Sequence, residues 1–204
     1  MSARIWLMRH GETEWSRAMR HTGRTDIPLT PQGEAQARAA GDDLRAQDAW
    51  RTPQLVLCSP LQRARRTAEL AGLASGDAPA CEIDADLVEW DYGRWEGLTT
   101  AQIREQLGDP HWLVWDHPVE PGDTPGEQLG DVAARAARVI ARCEPVLADG
   151  GDCVLIAHGH LLRILTATWL AMPPIDGRRF ALAAARVSAL GFEHETRVIT
   201  LWNA

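Results

Sequence analysis

The chain contains no lysine: all 21 of its basic residues are arginine. A strong base-composition bias in the genome accounts for this, but it also excludes any mechanism that needs a lysine amine. No apolar run approaches the ~20 residues of a membrane span. Nothing ahead of Arg9 and His10 resembles the apolar stretch of a signal peptide. The four cysteines, Cys58, Cys81, Cys143 and Cys153, lie far apart without paired spacing. They read as reduced thiols, not as a disulfide framework. Basic stripes are also absent, and the net charge is −7, so no nucleic-acid partner is expected. No internal repeat or low-complexity segment is evident. The expectation is a soluble cytoplasmic protein with a small-molecule partner.

Hydrophobic residues at 45% and charged residues at 24% are ordinary globular values. A single domain spanning 1–204 can bury a full core at this length. The apolar run 5–8 reads as a buried strand ending in Arg9-His10-Gly11. Thr30-Pro31 caps a helix expected over 32–47. The run 55–58 is a second strand, and Ser59-Pro60 reads as the cap of the next helix. An extended segment over 82–88 leads to Glu89. Thr99 with Gln102 reads as a capping box, and so does Thr124 with Glu127, opening a long helix to about residue 148. Residues 153–157 form another strand, followed by a helix over 161–170. The runs 187–192 and 197–202 close the chain as an antiparallel pair. Strands alternating with helices predict an α/β fold: a three-layer αβα sandwich with a mostly parallel sheet and an antiparallel edge. Residues 94–125, with Trp112 and Trp115 as packing residues, read as a small helical cap insertion.

Three strand ends carry polar side chains at their mouths: Arg9-His10-Gly11, Ser59 with Arg63, and His158-Gly159, while Glu89 follows a fourth. Open α/β sheets bind ligands at the carboxyl ends of their strands. If these strands are adjacent and parallel, two histidines, two arginines and backbone amides make a cationic cup for a phosphoryl dianion. Arginine matches phosphate oxygens with its planar fork, so the inventory needs no metal. No cofactor is expected. A histidine can accept the phosphoryl group and so split hydrolysis into two displacements. A metal site at His158-x-His160 is disfavoured, because alternate residues of an extended end point to opposite sides. His160 reads as a packing or capping residue.

Four blocks, Leu-Met-Arg-His-Gly-Glu-Thr-Glu-Trp (7–15), Ser-Pro-Leu-Gln-Arg-Ala (59–64), Leu-Val-Glu-Trp-Asp-Tyr-Gly-Arg-Trp-Glu-Gly (87–97) and Ala-His-Gly-His (157–160), resemble the histidine phosphatase superfamily. That superfamily includes the cofactor-dependent phosphoglycerate mutases. The resemblance implies that His10 is the nucleophile and that Arg9, Arg63 and His158 hold the phosphoryl group. Glu89 then gives a proton to the leaving alcohol and takes one from water. Ser16, Thr22, Gly23, Ser59, Tyr92 and Gly159 fall at substrate-binding positions. The chemistry asks for a neutral His10 whose other nitrogen donates to a fixed acceptor, such as a backbone carbonyl. It also favours a protonated His158 and a protonated Glu89 at the first step. Such a set predicts an acidic to neutral pH optimum.

The departures favour phosphatase over mutase. Thr100 stands where mutases carry a lysine, no arginine occurs between Arg104 and Arg135, and Ser16 replaces the usual asparagine. The segments 21–30, 112–115, 157–163 and 190–194 resemble sedoheptulose-1,7-bisphosphatase-type enzymes and related bacterial acid phosphatases. This implies a sugar phosphate or bisphosphate substrate, with Arg163, and more weakly Arg24, as a contact for a second phosphate or a hydroxyl. A phosphoglycerate mutase and a catalytically idle phosphate-binding domain are the alternatives. Precedent for the fold allows a homodimer.

Overall fold

The computed structural model describes residues 3–74 and 80–204. In chain order its elements are β1 (Ile5–Arg9), the one-turn α1 (Glu14–Arg17), α2 (Pro31–Arg45), β2 (Leu55–Cys58), α3 (Gln62–Leu70) and β3 (Cys81–Ile83). There follow α4 (Thr100–Leu107), α5 (Leu129–Ala148), β4 (Cys153–Ala157), α6 (Gly159–Trp169), β5 (Val187–Glu193) and β6 (Thr196–Leu201). The strands form one sheet in the order β3-β2-β4-β1-β5-β6. The four strands from β3 to β1 are parallel, and β5 and β6 complete the sheet through antiparallel pairings.

Successive strand residues face opposite sides of a sheet, and both sides of this one are covered. Ile5, Leu7 and Leu155 pack with Val139, Cys143 and Leu161 of α5 and α6. Trp6, Met8 and Ile156 pack with Leu44, Ala64 and Ala68 of α2 and α3. The fold is the expected three-layer α/β arrangement. Thr30 Oγ1 accepts the Gly33 N–H at 3.0 Å and Pro31 opens α2. At α4, Thr99 and Gln102 form the expected reciprocal box.

Three local expectations are corrected. Ser59 does not cap α3, which starts at Gln62; the Gln62 N–H is instead capped from a distant loop by Asp26 Oδ1 at 2.8 Å. Thr124 and Glu127 do not box α5 either. Thr124 donates to Asp91, and the helix starts at Leu129, where the Asp131 carboxylate accepts the Gln128 N–H. The stretch expected to be extended over 82–88 is strand only through Ile83. Asp84 then accepts the Asp86 N–H and turns the chain into a 3-10 turn, Ala85–Leu87. In the first two cases a distant partner, His158 or Asp91, took a hydroxyl that a purely local reading assigned to a cap, and in the third a local Asp84 turn ended the strand.

Strand register positions the site. Arg9 lies opposite Ala157, and Cys58 opposite Ile156. The His10 N–H donates to the Ala157 carbonyl and the Ser59 N–H to the Ile156 carbonyl, each at 3.0 Å. His10, His158 and Ser59 therefore leave the sheet side by side. The turn after β1 lies directly against α2. A Cβ on Gly11 would sit 2.3 Å from the Gly33 carbonyl oxygen, and one on Gly33 would sit 2.0 Å from that of Glu12. Only glycine allows this approach.

Candidate active site

His10 is 5% exposed, and its Nδ1 lies 2.7 Å from the Gly11 carbonyl oxygen. Burial, Arg63 and Arg9 hold its pKa well below the ordinary imidazole range. The ring is therefore neutral with its proton on Nδ1, where the carbonyl accepts it, and Nε2 keeps its lone pair. Arg9 reaches past Gly159, where a Cβ would lie 3.2 Å from the guanidinium carbon. Its Nη1 donates to the Leu182 carbonyl at 2.6 Å, while its buried Nε has no partner among the described residues. A buried guanidinium with an idle donor beside a nucleophilic nitrogen is suited to an anion.

Behind these two residues lies a fully buried layer. Arg63 Nε donates to His158 Nδ1 at 3.2 Å, and its other nitrogens donate to the carbonyls of Thr22, Gly23 and Thr25. His158 Nε2 meets Ser59 Oγ at 2.7 Å, and the His158 ring stands 5.1 Å from that of His10. Because Nδ1 accepts from Arg63, His158 is neutral in this arrangement, whereas the protonated ring expected from sequence is one that faces a phosphate dianion. Burial and the positive charge of Arg63 explain the neutral ring, holding its pKa well below the usual value.

Glu89 sits at the N-terminus of α6. Its Oε1 accepts the N–H groups of Trp90 and Leu161, each at 2.9 Å, and its Oε2 that of His160 at 3.0 Å. Every partner is a donor, so three backbone N–H groups fix the orientation of the carboxyl at the helix N-terminus. Arg135 fixes the backbone beneath it, donating to the carbonyls of Asp86, Val88 and Glu89 while pairing with Glu127.

One cavity of about 350 Å³ brings together Arg9, His10, Glu89, Tyr92, Gly159 and Arg163, with Ser16 and Thr22 at another wall. Ser59, Arg63 and His158 lie behind it and do not line it. Gly23 is not among its lining residues: its N–H is taken by the Glu96 carboxylate, which also accepts from Thr25. The Ser16 hydroxyl is engaged in a reciprocal box with Thr13 at the start of α1. Arg24 pairs with Asp91 and Glu127, so its charge is consumed away from the cavity. Arg163 has no carboxylate partner among the described residues. It donates to the carbonyls of Gly177 and Arg178 and lies 4.8 Å over the Trp115 ring.

Sequence reasoning passed over several lining residues: Arg20, His21, Thr100, Trp115, His160 and Leu182. His21 and His160 were visible as histidines inside motif blocks, but their direction was not. Leu182 carries no signal, being placed by the chain's return to β5. Trp115 is 7% exposed and packs on Trp90, as a packing residue should. No helix among the described residues is long and apolar enough to cross a membrane.

The family model for the histidine phosphatase superfamily (branch 1) matches residues 5–204. An acid phosphatase of Mycobacterium tuberculosis (strain ATCC 25618 / H37Rv) is 40% identical over 201 residues, covering 97% of this chain and 91% of the relative. A sedoheptulose 1,7-bisphosphatase of Saccharomyces cerevisiae (strain ATCC 204508 / S288c) is 34% identical, with coverage of 84% and 69%. The solved structure of the Mycobacterium tuberculosis open reading frame Rv3214 superposes with a TM-score of 0.86 at 38% identity, covering 100% of this chain and 98% of the other. A match that begins at the first residue of β1 and runs to the last residue takes in every strand end described above, and the chain belongs to branch 1 of the histidine phosphatase superfamily.

Proposed function

We propose that this enzyme is a metal-independent phosphomonoesterase working through a phosphohistidine on His10, and that its substrate is a small sugar phosphate or bisphosphate. The observation that carries the reading is the pairing of His10 Nδ1 with the Gly11 carbonyl, which leaves Nε2 without a partner among the described residues in a cavity shared with Arg9 and Glu89. Nε2 attacks phosphorus as the ester P–O bond breaks. Arg9 receives the phosphoryl oxygens on its uncommitted donors, and the buried charge of Arg63 adds to the field beneath them. Glu89 takes a proton from a monoanionic ester as it enters and passes it to the leaving oxygen. In the second displacement it takes a proton from the water that attacks the phosphohistidine. His158 reaches a phosphoryl oxygen only by giving up its contact with Ser59.

Arg20 and Arg163 support a second anionic or hydroxylated group on the substrate. Both line the cavity without a carboxylate partner among the described residues, and Glu89 is the one acidic residue lining it. Its volume is at the low end for small-molecule sites. The four free cysteines fit a reducing, cytoplasmic compartment.

The test is phosphate release from p-nitrophenyl phosphate, fructose 1,6-bisphosphate and 3-phosphoglycerate, with EDTA present throughout. Release that survives EDTA, falls at least about 10³-fold in His10→Ala and leaves an acid-labile phosphoenzyme on rapid quench is the expected result. Isomerisation of 3-phosphoglycerate in place of release would make the enzyme a mutase and remove the significance given to Thr100.

A further inference from the structure

The reaction as proposed uses His10, Arg9 and Glu89 and leaves one wall of the cavity without a task. That wall carries Tyr92, His160 and Trp115. Tyr92 is 1% exposed, and its hydroxyl meets His160 Nδ1 at 2.6 Å. A phenol buried this deeply has one hydrogen to give, and Nδ1 is its partner. Were Nδ1 itself protonated, the phenolic hydrogen would have no acceptor. Burial, with Arg163, His21 and Arg9 nearby, keeps the His160 imidazole neutral, and burial likewise keeps Tyr92 a phenol. The hydroxyl therefore donates to Nδ1, and the ring proton of His160 sits on Nε2.

The His160 ring is also held in place. It contacts Trp115 at 5.0 Å, Trp90 at 5.9 Å and His21 at 6.2 Å between ring centroids. Its backbone N–H is tied to Glu89 Oε2. Nε2 has no protein partner among the described residues, and the residue lines the cavity.

We propose that His160 is a specificity-determining residue, presenting a fixed, uncharged N–H to a hydroxyl or ring oxygen of the alcohol being released, and so selecting polyhydroxylated phosphate esters over flat or apolar ones. This rests on the phosphomonoesterase reading and adds to it the recognition of the leaving group. Neutrality is what makes the residue discriminating. A charged imidazole on this wall would be one more cation attracting the phosphoryl group away from His10, whereas a neutral donor recognises an alcohol oxygen. Tyr92 is then a positioning residue, acting through the tautomer of His160 and not by touching substrate.

The experiment compares kcat/KM for fructose 1,6-bisphosphate with that for p-nitrophenyl phosphate in the full chain and in His160→Phe, His160→Gln and Tyr92→Phe. His160→Phe is expected to lower the ratio of the two values at least tenfold, through KM for the sugar ester. Glutamine, whose amide N–H reaches close to the position of Nε2, is expected to recover most of it. Tyr92→Phe is expected to lower it several-fold. A two-bond 1H–15N spectrum of histidine-labelled protein reads the tautomer directly. The expected signal at pH 6 is a neutral Nε2–H ring that is absent in His160→Gln and altered in Tyr92→Phe.

An unchanged ratio in His160→Phe, an equal loss on both esters with no recovery in glutamine, or an Nδ1–H or charged His160 in the spectrum would each overturn the inference. If the wild type hydrolyses neither ester, the phosphomonoesterase reading fails and the inference falls with it. A normal wild type with an unchanged ratio removes the inference alone.

Discussion

At the residue scale, the site is a set of decisions about which nitrogen carries a proton. His10 gives its Nδ1 hydrogen to a carbonyl of its own turn, while Arg63 and Arg9 discourage a second proton on the ring. A nucleophilic histidine with a depressed pKa keeps its lone pair in mild acid. The acid limb of kcat/KM is therefore expected to lie under the ordinary imidazole range. A pH–rate profile on p-nitrophenyl phosphate checks this, and an acid limb at or above the ordinary range would count against His10 as placed here. Sequence reasoning correctly required a fixed acceptor for His10, because the chemistry demands one. It could not show that the His158 ring accepts from Arg63, because the donating Nε comes from another helix 95 residues away in the chain.

At the scale of the element, Glu89 depends on a segment with little regular structure of its own. The three-residue turn Ala85–Leu87 and the chain after it are held by α5, through the donors of Arg135 to three consecutive-region carbonyls and to Glu127. Arg135→Met is expected to cost about 3–5 kcal/mol in urea unfolding, because Glu127 is left with less of its counter-charge and the carbonyls lose their donor. It should also lower kcat more than it raises KM, since it moves Glu89 without touching the phosphate contacts. Lysine should rescue poorly, a single ammonium being unable to span the fork's partners. The turn after β1 makes a second element-scale prediction. In Gly33→Ala the new methyl meets the Glu12 carbonyl at 2.0 Å and pushes α2 from the His10 turn. A loss of about 1–3 kcal/mol, read as a lower urea midpoint with unchanged m, is expected.

At the scale of the whole molecule, the active site works against stability in acid. His21 is lowered to about 4 by burial, and His10, His158 and His160 are also depressed. Between about pH 6.5 and about pH 4 the unfolded chain takes up protons on these imidazoles that the folded chain refuses. The stability present above the unfolded pKa is lost as pH falls through that window. His21 alone contributes about 3 kcal/mol of this loss. The urea midpoint is expected to fall steadily from pH 7 to pH 4.5, and His21→Asn to flatten part of the slope. A midpoint independent of pH over that range would show that these rings titrate normally in the folded protein.

The sequence by itself determined the α/β class, the alternation of strands and helices, the family and the identity of the residues at the strand ends. These follow from local patterns: short continuous apolar runs that read as strands buried on both faces, and caps such as Thr30-Pro31 and Thr99 with Gln102. Tertiary structure alone decided which polar groups spend their hydrogen bonds on the protein and which are left for a substrate. Arg24 and Arg163 are candidates of the same kind in the sequence, Arg24 the weaker, yet only the structure shows that Arg24 is paired with Asp91 and Glu127 while Arg163 opens on the cavity without a carboxylate partner among the described residues. Ser59 and Thr124 resemble caps but are claimed by His158 and Asp91. His160 resembles a packing residue until Tyr92, 68 positions away, orients its ring. The reason is physical: a buried charge or hydroxyl is satisfied by whichever partner the fold brings within about 3 Å, and that partner is set by long-range contacts that no local pattern encodes.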